Sequence, residues 1–375
     1  MTEFQPFVME RMMSKWENVV EYNLSESGVH PMTYRELLQM GNRSVDELLG
    51  IEVNYPQANG TVKLRETIAR LYPGATADNV LVTVGAAEAN YLTVHTLLEP
   101  GDHAVVMLPN YMQVWGVAKN RGVRLESFHL REEAQWAPDL AELDAVVGPD
   151  TKLIAVCNPN NPTGRIMTEA EMDAVVAAAD RVGAWILADE VYTGAERERQ
   201  EETPSFYGRY DKVIANNSTS KAYGLPGLRV GWAVGPAETI DDMWARHEYT
   251  TISATMMSNE LTALALSPEV RPKILERTRG YIRRGYGILE DWMASRSSTF
   301  QVFPTQAAAI TFVRYNVDIN STELVDQLRE ERSVLTVPGD HFGIDRCLRI
   351  SFGLEPDYLT TGLDRIHEGI LALAR

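Results

Sequence analysis

Lys221 lies in a run of small residues, Ser218-Thr219-Ser220-Lys221-Ala222-Tyr223-Gly224, which continues as Leu225-Pro226-Gly227-Leu228-Arg229-Val230-Gly231. A lysine amine can condense with an aldehyde. Ser218 and Arg229 offer a compact and a forked donor for a phosphate. A ligand with both groups would suit this turn. Taken alone, a lysine before a glycine turn is an ordinary solvated loop residue, so the chemistry needs further partners.

Asp189-Glu190-Val191-Tyr192 supplies them. It follows the apolar run Ala184-Trp185-Ile186-Leu187-Ala188, which reads as a buried parallel strand. The carboxyl end of such a strand is where an open α/β sheet places ligand contacts. A carboxylate there can keep a pyridine nitrogen protonated, which makes the ring an electron sink. Tyr192 can hydrogen-bond a phenolic oxygen on that ring. The plainer reading is an aspartate capping a helix with a core tyrosine behind it. A third element is Asn158-Pro159-Asn160-Asn161-Pro162-Thr163-Gly164, after the strand Lys152 to Cys157. Its two Asn-Pro steps make a rigid turn. The amide of Asn161 can donate to the same oxygen. Pyridoxal 5'-phosphate carries both an aldehyde and a phosphate, and Asp189, Tyr192 and Asn161 could meet its pyridine nitrogen and phenolic oxygen.

These motifs occur in order, with residues 161, 189 and 221 at intervals of 28 and 32. From about Tyr55 to the C-terminus the chain resembles the class I/II aminotransferase family, the fold-type I pyridoxal phosphate enzymes. The resemblance implies a role for each residue. Lys221 would form the Schiff base and carry the proton, and Asp189 would pair the pyridinium. Tyr192 and Asn161 would bond the phenolate, while Ser218, Ser220 and Arg229 would hold the phosphate. Gly85, Ala86 and Ala87 would form the phosphate turn at a helix start, where backbone N–H groups and the helix dipole favour an anion. Tyr111, after Pro109-Asn110, would stack on the ring. Tyr55, in Asn54-Tyr55-Pro56, would reach the phosphate of a neighbouring subunit, so a homodimer with shared sites is implied. Arg349, in the strand Cys347 to Phe352, would grip the substrate α-carboxylate through two parallel bonds. Asn161 would contact the substrate as well.

The implied reaction is transfer of an amino group from an L-amino acid to a 2-oxo acid, by ping-pong kinetics. Family members that prefer dicarboxylates often carry a basic residue in the stretch equivalent to Glu248 to Met257, which here has none. Some bacterial members carry a lysine where this chain has Ala87. Neutral or cationic donors are therefore expected. Glu26-Ser27-Gly28-Val29-His30, with Thr33 and the segment Ser220 to Arg229, is also similar to the capreomycidine synthases, which cyclise a hydroxylated arginine on the same cofactor. That resemblance makes Gly28 and His30 substrate-side candidates and elimination with cyclisation the alternative reaction.

Strands and helices alternate from Asn79 to Gly235, which specifies an α/β three-layer sandwich with a mainly parallel sheet. Expected elements include a helix from Ala86 to Leu98, a helix from Thr168 to Val182 and a strand from Arg229 to Val234. After about Arg271 a smaller α+β unit is expected, with a helix from Ser321 to Glu331 capped by Ser321 or Thr322. The expected division is 1–40 as an arm joining the small domain, 41–270 as the cofactor-binding domain and 271–375 as the small domain. The charge-rich stretch Glu196 to Glu202 reads as a solvent-exposed loop.

The chain has 375 residues, 35 Lys+Arg against 52 Asp+Glu and a net charge of −17. That balance argues against nucleic acid and anionic membrane partners. No secretory or membrane-spanning segment is read, and Cys157 and Cys347 lack metal spacing. The expectation is a cytoplasmic enzyme without a catalytic metal.

Overall fold

The computed structural model describes residues 4–373. Its central sheet has eight strands: β1 (Val80–Thr83), β2 (His103–Leu108), β3 (Arg124–Arg131), β4 (Ala137–Pro138), β5 (Thr151–Cys157), β6 (Trp185–Asp189), β7 (Val213–Ser218) and β8 (Gly231–Val234). The order across the sheet is β1-β8-β7-β6-β5-β2-β3-β4. Strands β7, β6, β5, β2 and β3 are parallel, whereas β8 runs antiparallel to both its neighbours. The inner strands are buried on both faces, which is why they read as continuous apolar runs rather than alternating ones. The fold is the α/β architecture expected.

Chain order reverses between β2 and β5, so their carboxyl ends diverge and leave a crevice. Helices follow the strands. They include α2 (Ala86–Leu97) after β1 and α3 (Glu169–Val182) after β5; an arm helix α1 (Val8–Trp16) precedes the sheet. Thr168 and Glu171 close a reciprocal capping box on α3. After β8 come α4 (Ala237–His247) and the 24-residue α5 (Arg271–Ala294). A second, antiparallel sheet joins β9 (Phe300–Gln301), β10 (Ile310–Tyr315), β11 (Val337–Pro338) and β12 (Cys347–Ser351) in the order β9-β10-β12-β11. It packs with α6 (Ser321–Arg332) and α7 (Pro356–Leu373). Tyr22–Asn23 of the arm pairs in parallel with Val334–Leu335.

Three expectations need correction. The cap of α6 is Asn320, whose side chain accepts from the N–H groups of Thr322 and Glu323. Residues Ser321 and Thr322 are already helical. The eighth strand begins at Gly231, because Arg229 holds φ of +53° in the left-handed region and cannot join a ladder. The stretch Glu196 to Glu202 is not merely a solvated loop. Glu196 is fully buried and bonds Arg279 at 2.7 Å, and Glu202 pairs with Arg271. Counting charges along the chain could not reveal cations brought from α5.

Candidate active site

The carboxyl ends of β2, β5, β6 and β7 open on a cavity of about 390 Å³ lined by Asn90, Tyr111, Asn161, Asp189, Tyr192, Ser218, Ser220, Lys221, Arg229 and Arg349. Residues from four motifs thus meet at one crevice. Pairing of Cys157 with Asp189 and of Asp189 with Asn216 sets the depth at which the aspartate sits.

Asp189 is buried. Its carboxylate accepts 3.3 Å bonds from Asn90 Nδ2 and from the Val191 N–H. Burial pushes its pKa up, and those bonds with the Lys221 charge oppose the rise. Asn90 itself accepts at 2.9 Å from Asn216 Nδ2. An amide from α2 and one from β7 thus orient the carboxylate, and no sequence motif announced either.

Ser218 ends β7, and Lys221 stands in the bend beyond it. The Ser220 N–H donates to Ser218 Oγ at 3.2 Å, and the Thr219 N–H to the Val230 carbonyl at 3.0 Å. The Arg229 guanidinium lies over Gly85, where a Cβ would sit 2.6 Å from Nη2. Gly85 has φ of +83° and caps α2. A Cβ on Gly231 would come within 2.3 Å of the Ala86 nitrogen. These two glycines let the start of α2, the β8 strand and the arginine converge. The result is an anion cradle of backbone N–H groups, a hydroxyl and a guanidinium.

Glu88, in the first turn of α2, braces this cradle. It accepts from the Val84 N–H at 2.7 Å and from Thr251 Oγ1 at 2.8 Å, and lies 3.3 Å from buried His247. Burial opposes ionisation, but bonds from His247, Thr250 and Val84 hold its pKa down to about 2. Sequence reasoning missed this bracket, since its parts lie about 160 residues apart.

Tyr111 is half-buried, and its hydroxyl donates to Glu10 at 2.8 Å. Burial first, then the Glu10 charge, raises its pKa. Tyr192 is fully buried, and its hydroxyl makes no well-aligned hydrogen bond among the described residues, although the Ser27 side chain lies beside it. Arg349 is 2% exposed. Its Nη1 donates to Asn161 Oδ1 at 3.1 Å and its Nη2 to the Ser25 carbonyl. Its Nε has no hydrogen-bond partner among the described residues, and burial lowers its pKa while the charges of Glu26 and Glu10 oppose the fall. A buried guanidinium that no carboxylate contacts directly is costly, so this geometry suits an incoming anion.

Not every candidate faces the cavity. Gly28 packs against the lysine bend, with its Cβ position 3.3 Å from the Ser220 carbonyl. His30 lines an adjoining cavity of about 460 Å³ and stacks on Tyr281. Tyr55 is 82% exposed and reaches no part of the cavity within its own chain. Three carboxylates that sequence reasoning missed do line it: Glu10, Glu17 and Glu26. Glu10, Met13 and Glu17 fall at helical spacing along α1 and its C-terminal cap, which is the signal that would have found the first two carboxylates.

The class I and II aminotransferase model matches residues 44–366. The chain belongs to this family. Its cofactor is pyridoxal 5'-phosphate, and the cradle, the Asp189 carboxylate and Lys221 fit that molecule's phosphate, ring nitrogen and aldehyde. Among curated relatives, capreomycidine synthase of Streptomyces vinaceus is 31% identical over 363 residues, covering 94% of this chain and 90% of the relative. An aspartate aminotransferase of Pyrococcus horikoshii is 26% identical, covering 95% and 92%. Among solved structures, a PLP-dependent aminotransferase from Streptococcus suis superposes with a TM-score of 0.93 at 31% identity, with both chains fully covered.

Proposed function

We propose that the protein is an aminotransferase that moves an amino group from an L-amino acid to a 2-oxo acid by ping-pong turnover. The observation that carries the reading is the convergence of Lys221, Asp189 and Arg349 on one cavity that also contains an anion cradle. Pyridoxal phosphate, when bound, supplies an electron sink for the charge left when an amino acid loses its α-proton. The chain's own residues do the rest. Gly85, Ala86, Ala87, Ser218, Ser220 and Arg229 hold the phosphate. Asp189 binds the ring nitrogen and keeps it protonated. Asn161 donates its amide to the phenolic oxygen; its Oδ1 is already occupied by Arg349. The Tyr192 hydroxyl supplies a second bond there. Tyr111 covers the ring. Arg349 binds the α-carboxylate, which aims the α-hydrogen at Lys221 Nζ, the base that takes and returns the proton.

The same reading makes the enzyme a cytoplasmic homodimer in which Tyr55 completes the neighbouring site. Supporting it, Leu49, Val53 and Tyr55 form an exposed apolar stretch, which is the kind of surface that association covers. Residues 41–270 act as the cofactor domain, and 271–375 with the arm 1–40 as the small domain. No helix of the described residues is long and apolar enough to cross a membrane.

A second reading is elimination with cyclisation of an arginine derivative, supported by the 31% identity to capreomycidine synthase. Borohydride reduction of the purified holoenzyme, followed by peptide mass spectrometry, tests the site. The cofactor mass is expected on the peptide containing Lys221; finding it elsewhere or nowhere contradicts the assignment. Oxo acid formed from amino acid donors separates transfer from cyclisation.

A further inference from the structure

We propose that Glu17 and Glu26 bind the cationic end of the donor's side chain, so that the preferred donor is a basic amino acid with a guanidinium or ammonium group. The inference rests on the aminotransferase reading of the same cavity and adds the substrate class.

Glu17 and Glu26 line both the cavity above Lys221 and the adjoining one that contains His30, so they stand at the junction of the two. The Glu26 side chain is 48% accessible, surface that a ligand can cover. Its one ion pair among the described residues is with Lys221, at 3.9 Å. The cofactor occupies that amine when it binds. Glu17 and Glu26, which hydrogen-bond each other, then keep only the Arg349 charge acting on Glu26, an arrangement that favours a shared proton or a further positive charge. Even beside Lys221 the strain is visible. Burial and the Glu26 charge raise the pKa of Glu17, while Lys221 holds that of Glu26 down against burial.

An independent observation places a ligand in this cavity. Arg349 lines it, is 2% exposed, and its Nε has no hydrogen-bond partner among the described residues. One wall thus calls for an anionic group and the other for a cation. A molecule with a carboxylate at one end and a cation at the other satisfies both. A planar guanidinium matches paired carboxylates through parallel charge-assisted bonds. A dicarboxylic donor would instead bring a third negative charge to the pair. Glu10 is engaged by Tyr111 and adds to the field without leading the recognition.

L-arginine and L-citrulline have nearly the same shape and differ in charge, so their comparison isolates the effect. The single-turnover rate of the holoenzyme, followed in the cofactor's visible spectrum with oxo acid quantified, should favour arginine over citrulline at least about ten-fold in kcat/KM. In Glu17→Gln and Glu26→Gln that ratio should fall toward one. In Glu26→Asp, which keeps the charge, most of the ratio should survive. Equal rates for the two donors, preference for L-glutamate, or a ratio unchanged in both glutamine variants overturns the proposal. If arginine perturbs the spectrum with the same dependence on Glu17 and Glu26 but yields no oxo acid, the recognition site stands and the aminotransfer reading falls.

Discussion

The two walls of the cavity are built differently. The sheet wall carries Asn161, Asp189, Ser218 and Lys221, each at or just beyond the end of a parallel strand. Strand register fixes those positions, so each falls in a short contiguous motif. The arm wall carries Glu10, Glu17 and Glu26 on a single helix and the coil after it, facing Arg349 from the second sheet. These groups are joined by tertiary packing: Met9 and Met13 of α1 place their sulfurs 3.9 and 3.8 Å from Arg349. A rigid wall suits chemistry common to a whole family, and a variable wall suits choice of substrate.

The largest expected effect breaks the sheet wall. Lys221→Ala removes the proposed proton carrier and should lower turnover by about four orders of magnitude. Cofactor is expected to be retained without a covalent bond through Ser218, Arg229 and Asp189. Substantial transamination by this variant in excess cofactor would sink the assignment. Asp189→Ala should cost roughly 10²–10³-fold in kcat with the fold intact by circular dichroism. A normal rate at full cofactor occupancy would mean that another group pairs the ring nitrogen.

Breaking the arm wall should read out as binding. Arg349→Lys keeps the charge and loses the fork, so KM for the amino donor should rise about ten- to a hundred-fold. The cofactor spectrum should stay normal; a shifted spectrum would place Arg349 with the cofactor instead. Tyr55 belongs to neither wall of its own chain. Tyr55→Phe and Lys221→Ala chains, each weak alone, should regain activity when mixed as dimers, because both lesions then fall in one site. Mixing without gain would leave Tyr55 outside a shared site.

Glu190 is the smallest and sharpest comparison, being the neighbour of Asp189 that lies outside the cavity lining. It accepts from Ser205 Oγ at 2.9 Å and from the Phe206 N–H at 2.8 Å. Burial raises its pKa from 4.5 to about 7, with Asp189 adding to the rise and Arg209 opposing it. A carboxyl whose folded value exceeds its unfolded one contributes fully below about 4.5 and loses that contribution as pH climbs to about 7. Denaturant titrations should therefore show Glu190→Gln flattening the stability loss between about pH 5 and pH 7 by roughly 2 kcal/mol. An unchanged slope would place the titration elsewhere.

This contrast also explains what could be read in advance. The placement of Lys221, Asp189, Tyr192 and Asn161 at one crevice was legible because strand ends present them in fixed order, the Gly85 turn only through the family resemblance, and the alternation of elements specified the parallel sheet. The Asn320 cap and the left-handed Arg229 were misplaced because both depend on local backbone conformation. Buried Glu196, the Glu88–His247 bracket and the Asn90–Asn216 support were not legible. Each pairs residues distant in the chain, and each partner alone looks like an ordinary surface polar group. Glu10 and Glu17 did leave a helical trace, but helical spacing of glutamates also describes any solvated face.

The central claim is that this cavity transfers an amino group. Purified holoenzyme incubated with an amino acid panel without any oxo acid acceptor, and analysed by mass spectrometry, tests it most directly. The account predicts one equivalent of 2-oxo acid per site and a matching equivalent of cofactor recovered in its amine form. Products that have lost water or closed a ring, with the cofactor unchanged and no oxo acid formed, would contradict it.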